Sequence, residues 1–128
     1  MGLILASSSP RRKRILKDLG YSFQCISPDI DESNDEDLDS TSYVLKMSEN
    51  KARHVWENNQ DCYILSGDTI IDFNYQIIGK PSSHNEAFEI LNRLSNQTHS
   101  VISGLTLFYK GRNTTIFDKT NVTFKKLS

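Results

Sequence analysis

The stretch LILASSSPRR, Leu3–Arg12, passes from four apolar residues directly into a polar turn that ends in two arginines. The apolar run predicts a short buried strand. Ser9 is a suitable helix N-cap and Pro10 suits the first helical position, so the strand is predicted to lead straight into a helix. This strand and helix begin an alternating pattern that the rest of the chain continues.

Apolar residues recur at helical spacing in three segments. The predicted helices run from Pro10 to Gly20, from about Ser40 to Asn58-Asn59, and from His84 to Leu94. Strands are predicted at residues 3–6, 21–26, 63–65, 70–71, 77–78, 101–109 and 114–124, with turns at Asn74-Tyr75 and Lys110–Asn113. Strands that alternate with helices and later join in hairpins predict an α/β fold with a mixed twisted sheet flanked by helices.

Composition narrows the class of protein. The 128-residue chain has 37% hydrophobic residues, 24% charged residues and a formal net charge of −1. These values favour one globular domain over residues 1–128. The balanced charge argues against nucleic acid or membrane as a partner. A nucleic-acid-binding module on the basic segment Arg11–Lys17 is the disfavoured alternative. Without a signal-peptide pattern or a membrane span, we expect a cytoplasmic protein. Cys25 and Cys62, which lack metal-site spacing, are predicted to be buried free thiols.

The segment Ser7–Arg12 is the first candidate for chemistry. Backbone amides at a helix start, serine hydroxyls and two guanidinium groups are the donors that a phosphate requires. The alternative is a capped helix whose arginines are only solvated. The local sequence leaves both interpretations open.

Carboxylates form the second candidate. Residues 29–39 contain seven acids and few apolar residues, which predicts a loop. Within it, Asp29-Ile30-Asp31-Glu32 follows a predicted strand and could hold a divalent cation through hard oxygen ligands. An exposed acidic loop that only keeps the surface soluble is the alternative.

Three further residues complete the set of candidates. Asp68, in Gly67-Asp68-Thr69, is a carboxylate within an apolar strand region and is either a catalytic group or a turn aspartate. Lys80, in Gly79-Lys80-Pro81 at the end of a predicted hairpin, reads alone as an ordinary turn lysine, and Lys51, on the second predicted helix, reads alone as an exposed lysine. Together with the segments above, they supply the parts for metal-assisted attack of water on a phosphoryl group.

The order and spacing of these motifs resemble the Maf family of nucleoside triphosphate pyrophosphatases. The resemblance runs from the first residues to Val122-Thr123-Phe124 and includes Lys51-Ala52, Leu94-Ser95 and Thr98-His99. It implies a fold of the inosine-triphosphate pyrophosphatase type and a divalent cation, Mg²⁺ or Mn²⁺. It also implies hydrolysis of a nucleoside triphosphate to the monophosphate and pyrophosphate.

The resemblance also implies roles for individual residues. Asp68 would accept a proton from water, and Glu32, Asp68 and, less directly, Asp31 would hold the metal. The residues that would hold phosphates are Ser7, Arg12, Lys51 and Lys80. Arg11 and Thr69 are similar to the residues of the subgroup that acts on dTTP and UTP.

Maf-family members continue past the point that matches residue 128. The resemblance therefore implies that this chain corresponds to the N-terminal portion of the family's domain. A catalytically inactive nucleotide-binding fragment or regulatory protein is the alternative to an active enzyme. The resemblance leaves a homodimer possible, although no interface is evident in the sequence.

Overall fold

The computed structural model describes residues 2–79 and 82–126. The elements in chain order are β1 Leu3–Ala6, α1 Pro10–Asp18, β2 Gln24–Cys25, α2 Ser40–Trp56, β3 Tyr63–Phe73, β4 Gln76–Ile78, α3 His84–Leu94, β5 Thr98–Tyr109 and β6 Arg112–Thr123. β1 runs parallel to β2 and β3, whereas β3 pairs antiparallel with β4 and β5, and β5 pairs antiparallel with β6. The predicted α/β fold with a mixed sheet and flanking helices is confirmed.

The long strand β3 has two partners in succession along one of its edges. Its first part pairs with β1 up to Ala6 and Ser66, and its last part pairs with β4 from Ile71 onward. Its other edge pairs with β5 from Ile64 to Asp72. Within the described ranges, residues 67–70 therefore have a strand neighbour on one side only, and this gap lies at the carboxyl end of β1.

The core lies mainly between the sheet and α2. Val44 and Met47 of α2 pack with Ile70 and Ile102, and the next turns of α2 pack on the start of the sheet. Full burial of each such aliphatic side chain contributes about 1.5–3 kcal/mol to folding. A separate cluster joins Phe73 and Ile78 to Leu94 at the end of α3. The helix that carries Lys51 is therefore firmly attached to the two central strands.

The predicted start of α1 is confirmed, since the Ser9 hydroxyl caps the helix and Pro10 is its first residue. Gly20 has the expected positive φ of 87°. α3 runs from His84 to Leu94 as predicted, and the described part of the chain contains no helix long and apolar enough to cross a membrane.

Several predicted boundaries and burials were wrong. β2 covers only Gln24–Cys25 instead of residues 21–26, because among the described strands it pairs with β1 alone, at the edge of the sheet, and has both residues exposed. Cys25 is consequently exposed and Cys62 only partly buried, although both thiols are free as predicted. The last hairpin turns on Lys110 and Gly111, both at positive φ, so β6 begins at Arg112, before the predicted Thr114.

Gly104 on β5 gives a test of this packing. A Cβ at this position would lie 2.7 Å from Val44 Cγ1. Val44 is fully buried and β-branched, so it cannot rotate away freely. We expect Gly104→Ala to lower the free energy of unfolding by about 1–3 kcal/mol in urea denaturation. The double variant with Val44→Ala should lose less unfolding free energy than the sum of the losses in the two single variants.

Gly79→Ala is the matched control, because a Cβ at Gly79 would meet no atom of the described residues within 4 Å. Equal stability of the Gly104→Ala and Gly79→Ala variants would contradict the close contact between β5 and α2.

Candidate active site

Six of the candidate residues gather at the gap beside residues 67–70 of β3, namely Ser7, Arg12, Glu32, Lys51, Asp68 and Thr69. The chain after β1 leads outward to β2, whereas the chain after β3 first turns back as β4 along the same edge and then reaches β5 on the other edge. In open α/β sheets, such a divergence at the carboxyl ends of neighbouring parallel strands leaves a crevice in which ligands commonly bind. Strand alternation places Asp68 on the face that packs against α2 and Thr69 on the opposite face.

Lys51 joins the two most important carboxylates. Its Nζ lies 2.9 Å from Asp68 Oδ1 and 3.2 Å from Glu32 Oε1. The side chains of Lys51 and Asp68 are 16% and 10% exposed, while that of Glu32 is 58% exposed. The cluster therefore runs from the interior of the fold to solvent, with one ammonium group between two carboxylates.

Hydrogen bonds one turn before Lys51 set the position of α2. The Ser66 hydroxyl donates to the Ser48 carbonyl at 2.5 Å, and the Thr106 hydroxyl donates to Ser48 Oγ at 2.9 Å. Ser48, Ser66 and Thr106 are all fully buried. Because residues three apart share a helix face, these bonds direct the Lys51 side chain toward β3, which carries Asp68.

Asp68 retains an unused acceptor. Its Oδ1 accepts from Lys51, but its Oδ2 is buried without a hydrogen-bond partner among the described residues. A buried carboxylate oxygen in this condition costs free energy unless a ligand, a metal or water completes its coordination. Asp68 is thus the residue of the cluster that most clearly requires a further partner.

Arg12 lies on the opposite face of β3 and connects α1 to it. Its Nη2 donates to Thr69 Oγ1 at 3.0 Å, and its Nη1 donates to Ser7 Oγ at 3.4 Å. A Cβ on Gly67 would lie 3.0 Å from Arg12 Nε, so the absence of a side chain there leaves room for the guanidinium. Burial lowers the pKa of Arg12 from its ordinary value, and the charge of Asp68 partly opposes that shift.

Glu32 is held in place by Tyr43, which the sequence pattern predicts only as a buried residue of the second helix. The Tyr43 hydroxyl donates to the Glu32 carbonyl at 2.5 Å, which ties the acidic loop to α2. Burial raises the pKa of Tyr43, and the negative charges of Asp68, Glu32 and Asp31 raise it further. The apolar spacing of α2 gave no signal of this bond, because the same pattern describes any buried tyrosine.

The other predicted site residues lie differently. Asp31 is exposed and its carboxylate accepts from the Ser33 amide at 2.9 Å and hydroxyl at 3.0 Å, which lowers its pKa. Those bonds hold it within its own loop instead of in the Lys51 cluster, and the described residues contain no group of three or more potential metal ligands among His, Cys, Asp and Glu. Arg11 is exposed next to Arg12, and Lys80 lies outside the described residues.

Comparison with known proteins agrees with the motifs. The family model described as "Maf-like protein" matches residues 2–128. The dTTP/UTP pyrophosphatase of Bacillus thuringiensis subsp. konkukian is 38% identical over 126 residues, which are 98% of this chain and 66% of that relative. The chain thus spans slightly less than two thirds of that relative's length.

Solved structures share the fold at low sequence identity. A nucleoside-triphosphatase, dITP/XTP pyrophosphatase, from Mycobacterium abscessus has a TM-score of 0.61 at 13% identity and covers 96% of this chain and 74% of its own. The Staphylococcus aureus Ham1 protein has a TM-score of 0.60 at 13% identity, covering 94% of this chain and 70% of its own. These likenesses establish the fold, and the family match over residues 2–128 establishes that the chain belongs to the Maf family.

Proposed function

We propose that this chain hydrolyses dTTP and UTP to the monophosphate and pyrophosphate. The observation that carries the proposal is Asp68, a buried carboxylate with one unpartnered oxygen, whose other oxygen contacts Lys51. The names of the curated relatives, dTTP/UTP pyrophosphatase, support the choice of reaction and substrate.

The residues at the gap fit a divalent cation such as Mg²⁺ or Mn²⁺. Asp68 and Glu32 supply hard carboxylate oxygens, and one oxygen of each contacts Lys51 Nζ. Asp68 Oδ2 has no hydrogen-bond partner within the described ranges. Mg²⁺ is commonly held by one or two carboxylates, with substrate phosphates and water completing its shell. When bound, the cation would neutralise phosphate charge and lower the pKa of bound water. Asp31 would serve as an outer helper from its loop.

The side chains of the site have separate roles in the reaction. Asp68 takes a proton from water as the water oxygen attacks the α-phosphorus, and the bond to the bridging oxygen breaks to release pyrophosphate. Lys51, Arg12 and Ser7 hold the phosphates through charge-assisted or neutral hydrogen bonds. Lys80 is a fourth phosphate ligand in this proposal, and Arg11 with Thr69 selects the nucleobase.

We place the reaction in the cytoplasm, with a nucleoside triphosphate as the ligand and neither nucleic acid nor membrane as a partner. Residues 1–128 are proposed to act as the N-terminal portion of one Maf-like domain. A homodimer is the oligomeric state to examine first, by light scattering.

The test is pyrophosphate release by the purified chain with Mg²⁺ and a panel of nucleoside triphosphates. The expected result is release from dTTP and UTP in preference to the purine nucleotides. Nucleotide binding without release would identify a binding fragment instead. Neither binding nor release would refute the proposal.

The Tyr43 anchor yields a prediction for the metal site. Tyr43→Phe keeps the ring in the core but removes the hydrogen bond to the Glu32 carbonyl. We expect Mn²⁺ affinity, measured by electron paramagnetic resonance without nucleotide, to fall about three- to tenfold because Glu32 is less well positioned. Tyr63→Phe is the control, since its ring stacks on Tyr109 at the opposite end of β3. Equal Mn²⁺ affinities in the two variants would exclude the anchoring role.

A further inference from the structure

A second hydroxyl lies beside that of Thr69, on the strand that covers the other edge of β3. The antiparallel pairing of β3 and β5 sets Ser103 directly opposite Thr69, and their hydroxyl oxygens are 3.1 Å apart. Their neighbours Ile70 and Ile102 point into the core against α2, so Thr69 and Ser103 share the other face of the sheet with Arg12. Ser103 has no part in the proposed binding of metal, phosphate or water.

The number of available protons limits what this pair can do. A guanidinium group only donates, so Thr69 Oγ1 accepts from Arg12 Nη2 at 3.0 Å. The two hydroxyl groups carry two protons, and the bond between them uses one in either direction. One proton is therefore left for an outside acceptor, whichever hydroxyl donates to the other.

We infer that Ser103 is a positioning residue for substrate selection, which orients the Thr69 hydroxyl so that the pair offers one hydrogen-bond donor to the carbonyl oxygen at position 4 of the nucleobase. The inference rests on the proposed function. Uracil and thymine present a carbonyl oxygen at position 4, where cytosine presents an amino group. A fixed donor favours the first two bases, because the amino group would leave it without an acceptor.

The alternative acceptor is a phosphate oxygen, which all nucleotides share. A misoriented donor to phosphate would weaken the binding of every nucleotide equally, whereas a misoriented donor to the base would weaken the binding of UTP more than that of CTP. The ratio of kcat/KM for UTP to kcat/KM for CTP therefore separates the two acceptors.

Ser103→Ala, Ser103→Thr and Ser100→Ala form the matched set of variants. Ser100 lies on the same strand and donates to Asn121 Oδ1 at 2.9 Å, away from Arg12 and Thr69. We expect Ser103→Ala to reduce the UTP-to-CTP ratio about three- to tenfold, mainly through a higher KM for UTP. Ser103→Thr should restore the ratio to within about twofold, and Ser100→Ala should leave it unchanged. The melting temperatures of all variants are compared to detect a purely structural role.

A binding measurement separates this inference from the proposed activity. Calorimetry with UMP and CMP gives the same selectivity without turnover. If wild type binds UMP more tightly than CMP and Ser103→Ala narrows that difference, the inference holds even where hydrolysis fails. The inference is overturned, while the proposed function stands, if hydrolysis proceeds and Ser103→Ala keeps the wild-type UTP-to-CTP ratio of kcat/KM. The same holds if the variant lowers kcat/KM equally for both nucleotides. Absence of both binding and hydrolysis overturns both.

Discussion

Asp68→Asn is expected to lower kcat for pyrophosphate release by about 10²- to 10⁴-fold. Asparagine keeps the size of the side chain but cannot take a proton from water. It also removes a negative charge from the position where Asp68 Oδ1 accepts from Lys51 and Oδ2 has no partner within the described residues. The change thus affects both the proton acceptor and the proposed metal ligand, with little change of volume in the core.

Asp72→Asn is the control for this experiment. Asp72 lies on the same strand, opposite Ser100 of β5 and Ile77 of β4, and is only partly buried. Pyrophosphate release is followed under saturating Mg²⁺ and UTP, and circular dichroism verifies that each variant is folded. An Asp68→Asn enzyme that retains more than about a tenth of wild-type kcat would exclude Asp68 as the proton acceptor, since such a group contributes at least about 100-fold.

The fold was largely predictable because its signals are local. The Ser9-Pro10 cap, the end of α1 near Gly20 and the bounds of α3 each depend on a few neighbouring residues. β2 was not predictable to the same degree, because its length depends on its place at the edge of the sheet, where β1 is its neighbour on one side. The turn was predicted over Lys110–Asn113, whereas it occupies only Lys110 and Gly111, because positive φ at a lysine has no strong sequence signal.

The site was predictable as a set of residues but not as an arrangement. Lys51 reads alone as an exposed helix lysine, yet its side chain lies between Glu32 and Asp68, which are distant in sequence. Only the family resemblance selected it. Ser103 was missed because its position opposite Thr69 follows from strand register, which one sequence specifies weakly. Asp31, predicted as a less direct metal helper, accepts hydrogen bonds from Ser33 within its own loop, and its role stays a prediction.

Lys51→Met is expected to change metal binding and catalysis in opposite directions. The Lys51 ammonium contacts the same two carboxylates that are proposed to hold the divalent cation. A cation and Lys51 therefore compete for these oxygens when no nucleotide is bound. Removing the ammonium leaves like charges close together, which increases their attraction for Mn²⁺. We expect Mn²⁺ affinity without nucleotide to rise about tenfold, equivalent to about 1.4 kcal/mol.

Catalysis should nevertheless fall in the same variant. With nucleotide bound, Lys51 is proposed to move its charge to the phosphates, and methionine cannot replace that charge. Loss of one positioned donor to the developing phosphate charge costs about 10²- to 10³-fold in kcat. A variant with tighter Mn²⁺ binding and slower hydrolysis would distinguish a displaced lysine from a general loss of structure, which weakens both.

Stability provides a third measurement of the same competition. Without Lys51, Asp68 remains buried without its ion-pair partner, so metal-free Lys51→Met should lose about 3 kcal/mol of unfolding free energy. Mn²⁺ should then raise the melting temperature of this variant more than that of wild type, because it binds the folded state more tightly. Lys46→Met is the matched control: it removes the same charge from α2, but its partner Glu36 is exposed. If Lys46→Met tightens Mn²⁺ binding as much as Lys51→Met, net charge explains the effect; if Lys51→Met weakens binding, the ammonium does not occupy the cation position.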